Sequence, residues 1–334
     1  MENIVITIDG GTTNTRACLW RGETLAAQAS REVGVRCTAV DGNNARLKEA
    51  VRDCVREVLS SAGAQEEELK AILASGMISS NVGLAEVPHC PAPAGAAELA
   101  AAARQVAIPE ISSTPITIIP GVKNPVSPVD LASFGGMDMM RGEEVETLAL
   151  LEAYPKGRPY LLVLPGSHMK FVSVDREGKL VSCLTSISGE LLSAITNDTI
   201  IADAVGKGFV SDESYDPDFV ALGAREAAAV GLGRACFSAR ILSQFPKTPP
   251  QKLANFLLGA VLQGDLTALR GAKWLGVEAD AEVIVAGKGP LRRAMAQLLA
   301  DGGIFSNVHM YEGEGKPPLS ALGARAVGRL LGVC

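Results

Sequence analysis

No run of about 20 uncharged apolar residues occurs in the 334-residue chain, so no membrane-crossing helix is expected. Paired CxxC cysteines are missing too. The seven cysteines are odd in number and scattered, which suits reduced thiols rather than a disulfide framework. Histidine is scarce: His89, His168 and His309 are the only three, none at helical i,i+4 spacing from another, so a histidine metal cage is not expected. The 31 Lys and Arg are outnumbered by 37 Asp and Glu and form no basic stripe, which argues against a nucleic-acid partner. The opening MENIVITIDGG has no basic n-region and its apolar run stops at Asp9; neither a secretory signal nor a span is read there, and a cytoplasmic location is expected. A G-x-x-x-x-G-K-[ST] phosphate loop is absent as well.

With 47% hydrophobic and 20% charged residues, the chain has the composition of a folded protein long enough for two domains. Apolar alternation predicts strands at residues 4–8, 17–20 and 24–33, joined by Gly-containing turns into a meander. Leu47, Val51, Cys54, Val55 and Val58 then recur at helical spacing, with Asn43 or Asn44 as a cap. A strand at 70–74, an Ala-rich helix near 96, a strand at 115–119 and a helix from Asp138 to about Ala153 complete the first half. A second meander starts at residue 160 and continues through 179–188. Helices follow near 189–196, 217–230, 232–245 and 251–268, then a strand at 281–286, a helix from Pro290 and a closing helix from Leu319. The order strand, Gly turn, strand, strand, helix thus occurs twice, which suggests two domains of similar topology, 1–155 and 156–334.

The segment IDGGTTNTR ends a buried strand on Asp9 and turns at once through Gly10 and Gly11, whose freedom at positive φ would let backbone N–H groups converge on an anion. Thr12 and Thr13 add hydroxyls. Asp9 suits Mg²⁺, bound through water. An ordinary hairpin with a solvated aspartate is the plainer alternative. At the matching place in the second half, LPGSHMK supplies Gly166, Ser167 and His168 as phosphate donors, with Lys170 two residues on and on the same strand face as His168; structural roles for His168 and Lys170 are the alternative. VIVAGKGP puts Gly287 and Gly289 between an apolar strand and a Pro-initiated helix, where a nucleoside could lie. Phosphoryl transfer also needs a carboxylate to take the hydroxyl proton, and Asp138, after a Gly pair and at a helix start, is the candidate; a capping role is the alternative. Arg141, one turn on, projects from the same helix face and could fork onto a substrate carboxylate or pair with Glu144.

In this order the motifs resemble the actin, sugar kinase and Hsp70 superfamily, with LSALGARAVGRLLG resembling its closing helix. That resemblance implies an α/β fold of two ribonuclease H-like, actin-like ATPase domains with a nucleotide cleft between them, and a closing helix, 319–332, packing back toward the first domain. It also places the catalytic base at Asp138. Through SGMISS, VPHCPAP, MRGEE, LPGSHMKFV and SGELLS the chain is most similar to the 2-dehydro-3-deoxygalactonokinase family. The resemblance implies phosphorylation of the 6-hydroxyl of 2-dehydro-3-deoxy-D-galactonate by ATP with Mg²⁺, in galactonate catabolism. Position assigns substrate contacts to Met77, Ser79, Asn81, Arg141, Lys170 and Glu190. The partner is a small sugar acid, with no nucleic acid and no membrane, and a homodimer is left open. A kinase of another small sugar or sugar acid, and a nucleotide-switched regulator on the same fold, are the alternatives.

Overall fold

Residues 3–287 and 289–334 are described by the structure, a computed structural model; Lys288, inside the VIVAGKGP motif, lies outside the described residues. The chain divides into two compact units, the first formed by Met1–Gly157, Gly178–Val181 and Gly315–Cys334, the second by Arg158–Glu177 and Ser182–Glu314.

In the first unit, β1 (Ile4–Gly10), β2 (Thr15–Arg21) and β3 (Thr24–Arg31) form the meander. Helix α1 (Arg36–Asp41) and the longer α2 (Ala45–Ala62) follow, then β4 (Leu69–Gly76), β5 (Cys90–Pro91), α3 (Ala96–Ala102), β6 (Arg104–Val106) and β7 (Ile116–Ile118). Strands β8 (Val122–Lys123) and β9 (Met139–Met140) join β5 in a small three-stranded sheet ahead of α4 (Glu143–Glu152). The main sheet runs β3-β2-β1-β4-β7-β6, with β1 antiparallel to β2 and parallel to β4. Strand β1 is buried along both faces, as a strand covered on each side must be. Ile4, Ile6 and Ile8 point to the core shared with Leu47, Val51, Cys54, Val55 and Val58 of α2, the same five residues that carry the helical period in the sequence.

In the second unit, β10 (Tyr160–Leu164), β11 (Met169–Val174) and β12 (Leu180–Ser186) repeat the meander. Helices α5 (Ser188–Asp198), α6 (Ala202–Val205), α7 (Pro217–Val230), α8 (Leu232–Gln244) and α9 (Pro250–Gly271) precede β13 (Glu282–Val285), α10 (Gly289–Asp301) and β14 (Val308–Met310). The sheet order is β12-β11-β10-β13-β14, again with the first meander strand antiparallel to its hairpin partner and parallel to the strand on its other side. Both sheets therefore order their strands third, second, first and then two parallel strands, with β6 as an added antiparallel edge in the first. The fold is α/β. Helix α9 is apolar nearly all round because it serves two clusters, Leu258, Leu262, Leu266 and Leu269 on one and Leu253, Phe256, Leu257 and Val261 on the other. The last helix, α11 (Leu319–Leu330), belongs to the first unit and packs on α4.

One expectation for a helix start is corrected. Helix α4 begins at Glu143, capped by Gly142 at φ +114°, and not at Asp138. Residues 139–140 are drawn instead into pairing with β8, where Val122 opposes Met140 and Lys123 opposes Met139. Asp138 and Arg141 therefore do not share a helix face, and Asp138 is not a helix cap.

Candidate active site

The first turn is a hairpin end in which the Gly11 N–H donates to Asn14 O at 2.8 Å and the Asn14 amide to Thr13 Oγ1 at 2.9 Å. The glycines are needed for a reason other than positive φ, which neither Gly10 nor Gly11 adopts. A Cβ on Gly10 would sit 2.6 Å from Ile78 Cβ, so the requirement is close approach. Among the described residues the Thr12 and Thr13 amides have no backbone partner, and both residues are exposed. The turn is held from behind: Val35 N–H donates to Gly11 O and Arg36 N–H to Thr12 O, each at 3.0 Å. Gly34 permits that contact, since a Cβ there would meet Gly11 O at 2.4 Å.

Asp9 opposes Arg16 across the β1–β2 ladder, and the two side chains form an ion pair at 3.7 Å. Ser320 Oγ of α11 donates to Asp9 Oδ2 at 3.3 Å. Burial raises the Asp9 carboxyl above its usual range, against the opposing pull of Arg16 and Ser320, with Glu143 adding to the rise. Burial together with Asp9 and Glu143 pushes Glu146 up to about 8. Glu144 is fully buried; both its oxygens accept from the Gly142 N–H, at 2.9 and 2.7 Å, and burial raises its carboxyl well above the ordinary value. Sequence reasoning named Glu144 only as a possible partner of Arg141 and did not single out Glu143 or Glu146, although MRGEE was noticed.

The residues chosen as sugar contacts are placed unevenly. Met77 is half-buried against the core, Asn81 is exposed, and Ser79 is wholly buried, donating to Gly76 O at 2.9 Å. Arg141 is committed to protein groups: Nη1 donates to Ser79 O at 2.9 Å and Ser79 Oγ at 2.6 Å, and Nη2 to Val87 O at 3.0 Å, with His89 Nδ1 at 3.4 Å. Its guanidinium thus clamps the 79–87 loop, and the expected free fork toward a carboxylate is corrected. His89 is pushed down to about 4, by burial first and by Arg141 and Lys123 after it. Asp138 is partly exposed, and its Oδ1 accepts from the following Met139 N–H at 2.7 Å.

The second unit repeats the turn. A Cβ on Gly189, in the first turn of α5, would meet Gly166 O at 2.2 Å, and Glu190 N–H donates to Ser167 O at 3.0 Å. This is the Gly34 contact of the first unit over again. The parallel neighbour strands also match: Gly76 at the end of β4 and Gly287 just after β13 have φ +89° and +87°, each with its would-be Cβ closest to the carbonyl ending the first meander strand or just after it, Gly10 O and Pro165 O. His168 lies in the bend before β11 and pairs with Glu190 at 3.1 Å. Lys170 is only 4% exposed and its ammonium donates to Thr185 Oγ1, so the expectation that it shares an accessible face with His168 is corrected; strand alternation begins only at Met169.

A cavity of about 440 Å³ opens beside this turn, lined by Gly166, Ser167, Glu190, Thr196, Phe209 and Pro290 among others, including Ala254 and Leu258 of α9. It brings Gly166, Ser167 and Glu190 together with the start of α10, one residue beyond Gly289. The contribution of α9 and of residues 208–210 was not readable from sequence, because it depends on packing over long separations.

A repeated α/β unit with a glycine-braced hairpin turn in each copy is the actin-like ATPase fold. Residues 9–314 match the model of the 2-keto-3-deoxy-galactonokinase family, and the chain belongs to that family. A 2-dehydro-3-deoxygalactonokinase of Escherichia coli (strain K12) is 27% identical over 267 residues, spanning 79% of this chain and 80% of the relative. A crystal structure from Sinorhizobium meliloti, provisionally named for the same kinase, superposes with a TM-score of 0.76 at 23% identity, covering 98% of this chain and 99% of that one. Component A of the (R)-2-hydroxyglutaryl-CoA dehydratase of Acidaminococcus fermentans shares the fold alone, at a TM-score of 0.50 and 11% identity over 98% of this chain and 99% of its own. The protein is accordingly an enzyme, a kinase of a 2-keto-3-deoxy sugar acid with ATP as phosphoryl donor. No helix among the described residues is long and apolar enough to cross a membrane.

Proposed function

We propose that the enzyme transfers the γ-phosphoryl group of ATP to the 6-hydroxyl of 2-dehydro-3-deoxy-D-galactonate, in galactonate catabolism. The observation that carries the assignment of sites is the pair of equivalent turns, each pinned to a helix start through a glycine that admits no side chain. Residues 166–168 would hold phosphates in the second unit, and the adjoining cavity, lined by Pro290 and Leu291 at the start of α10, would take the nucleoside, with Gly287 and Gly289 as the further nucleoside contacts proposed just ahead of them. In the first unit the amides of Thr12 and Thr13, which have no backbone partner among the described residues, and their hydroxyls would meet the transferred phosphoryl group, with Gly10 and Gly11 shaping the turn.

Asp138 is assigned the role of base, drawing the proton from the attacking hydroxyl. Its Oδ1 accepts from the next amide, which fixes the orientation of the carboxylate. Sugar-acid contacts fall to Met77 and Asn81, on a loop that Arg141 and Ser79 hold in shape, while Glu190 lines the second-unit cavity beside Ser167 and is left to the nucleotide side. Asp9 fits Mg²⁺: a buried carboxyl held up by desolvation gains from a nearby cation, and oxygen donors suit that ion. Magnesium, when bound with ATP, would supply charge neutralisation on the phosphates. A cytoplasmic enzyme, with a homodimer open, completes the reading.

The test is a substrate panel with both epimeric 2-dehydro-3-deoxy acids, ATP and Mg²⁺, with the product mapped by ³¹P–¹H correlation. Phosphate at carbon 6 of the galactonate-derived acid is expected. Phosphorylation of neither acid, or at another carbon, would overturn the assignment.

A further inference from the structure

Helix α9 carries one acid in its otherwise apolar middle. Asp265 is 1% exposed, and burial raises its carboxyl despite two hydroxyl donors. Its Oδ1 accepts from Ser186 Oγ and, at 2.6 Å, from Ser188 Oγ, while the two hydroxyls lie 2.8 Å apart. Oδ2 has no partner among the described residues. Leaving a carboxylate oxygen dry and unpaired costs stability, so an apolar residue would suit the core better.

The two serines show what this acid holds. Ser186 ends β12 and Ser188 opens α5, whose side chains give it no cap of its own, Ile187 being the residue before it. The next residue, Gly189, touches Gly166 O and Ser167, and the one after, Glu190, donates its N–H to Ser167 O. One chain of contacts therefore runs from the Asp265 carboxyl through Ser188 and the first turn of α5 to the 166–167 turn.

We infer that Asp265 is a positioning residue for ATP: through Ser186 and Ser188 it fixes the start of α5 and thereby the shape of the 166–167 turn. It rests on the reading that this turn takes nucleotide phosphates. Asp265 does not touch the nucleotide, and its function is that of an acceptor for two hydroxyls rather than of a charge. An amide oxygen in the same place accepts the same bonds.

The experiment measures KM for ATP, KM for the sugar acid, kcat and thermal midpoint for the full-length enzyme and its variants. Loss of one or both bonds, in Ser188→Ala or Asp265→Leu, is expected to raise the ATP KM by about tenfold, the scale of a 1.4 kcal/mol change, with the sugar-acid KM unmoved. Ser188→Thr restores the hydroxyl, and Asp265→Asn keeps the acceptor; both should bring the ATP KM back to within about threefold of the parent. Should Asp265→Leu not fold, Ser188→Ala decides. An unchanged ATP KM in folded Ser188→Ala, or an equal rise in both KM values, overturns the relay. Gly189→Ala, which pushes a methyl directly at the turn, separates the two readings: if it raises the ATP KM while Ser188→Ala does not, only the relay has failed. If neither does, the phosphate assignment of the turn has failed and the relay with it.

Discussion

Gly10 shows how the need for a glycine can be read from sequence for the wrong reason. The DGG turn suggested positive φ, but Gly10 stays in ordinary backbone space and is required because Ile78 lies against it. Gly10→Ala should therefore destabilise the first unit by about 1–3 kcal/mol through overpacking, and much of that loss should vanish in the Gly10→Ala, Ile78→Ala pair. Chemical denaturation of the two single variants and the double variant checks this; strict additivity would refute it. Asp138 is picked from sequence as a carboxylate after a Gly pair, whereas its setting, immediately before the short strand β9, depends on pairing with residues 122–123 that no local pattern reveals. Asp138→Asn should bind nucleotide normally yet lose turnover by about 10²–10⁴-fold, the range of a general-base contribution. Near-parental kcat in that variant would remove it from the reaction. Arg141 was singled out for its charge, and its real partners, two carbonyls and a serine hydroxyl in the 79–87 loop, are distant in sequence and could not be read from helical spacing.

Helices and strands were readable wherever a period ran long enough. Helix α7 spans the predicted residues, and α2 buries the five positions named for it. Short elements such as β5, β8, β9 and β14 carry two or three residues each, too few to show alternation. Also hidden were the helix crossings. Gly223 of α7 and Gly259 of α9 each face the other helix so closely that a Cβ would come within 1.8 Å of Phe256 O and 1.9 Å of Val220 O, and Gly323 of α11 stands likewise 1.7 Å from Val145 O of α4. Glycine inside a helix reads as a weakness in sequence, yet here it sets the distance between backbones. Gly323→Ala, a helix-favouring change in isolation, should lower the unfolding midpoint by several degrees, the effect of roughly 1–3 kcal/mol in a chain of this size. Calorimetry reads the shift, and an unchanged or higher midpoint would count against the close crossing.

At the scale of the molecule, the repeated meander was visible as two Gly turns in the same order, and the structure shows the same strand order in both sheets. The cluster of Asp9, Glu143 and Glu146 was not visible, because its members come from β1 and the first turn of α4. It makes stability depend on pH. Glu146, pushed up to about 8, keeps its proton in the folded chain over a range where the unfolded chain, titrating near 4.5, has lost it. The folded state then binds more protons, so stability falls as pH rises from about 4.5 to 8. Glu146→Gln should flatten that decline; thermal midpoints between pH 5 and 8 would show it, and an unaltered slope would exclude Glu146 as its source.

The return of α11 to the first unit sets a timetable for the making of the protein. A ribosome releases the chain from the first residue onward, and domains usually fold as they emerge. Here Ser320, which bonds Asp9, and Arg325, whose guanidinium stacks on Trp20 at 4.4 Å and donates to Gly22 O, are synthesised only after the whole of the second unit. The first unit must wait for them, while the intervening second unit is already complete at Glu314. Of the two units, the one that begins first is therefore finished second.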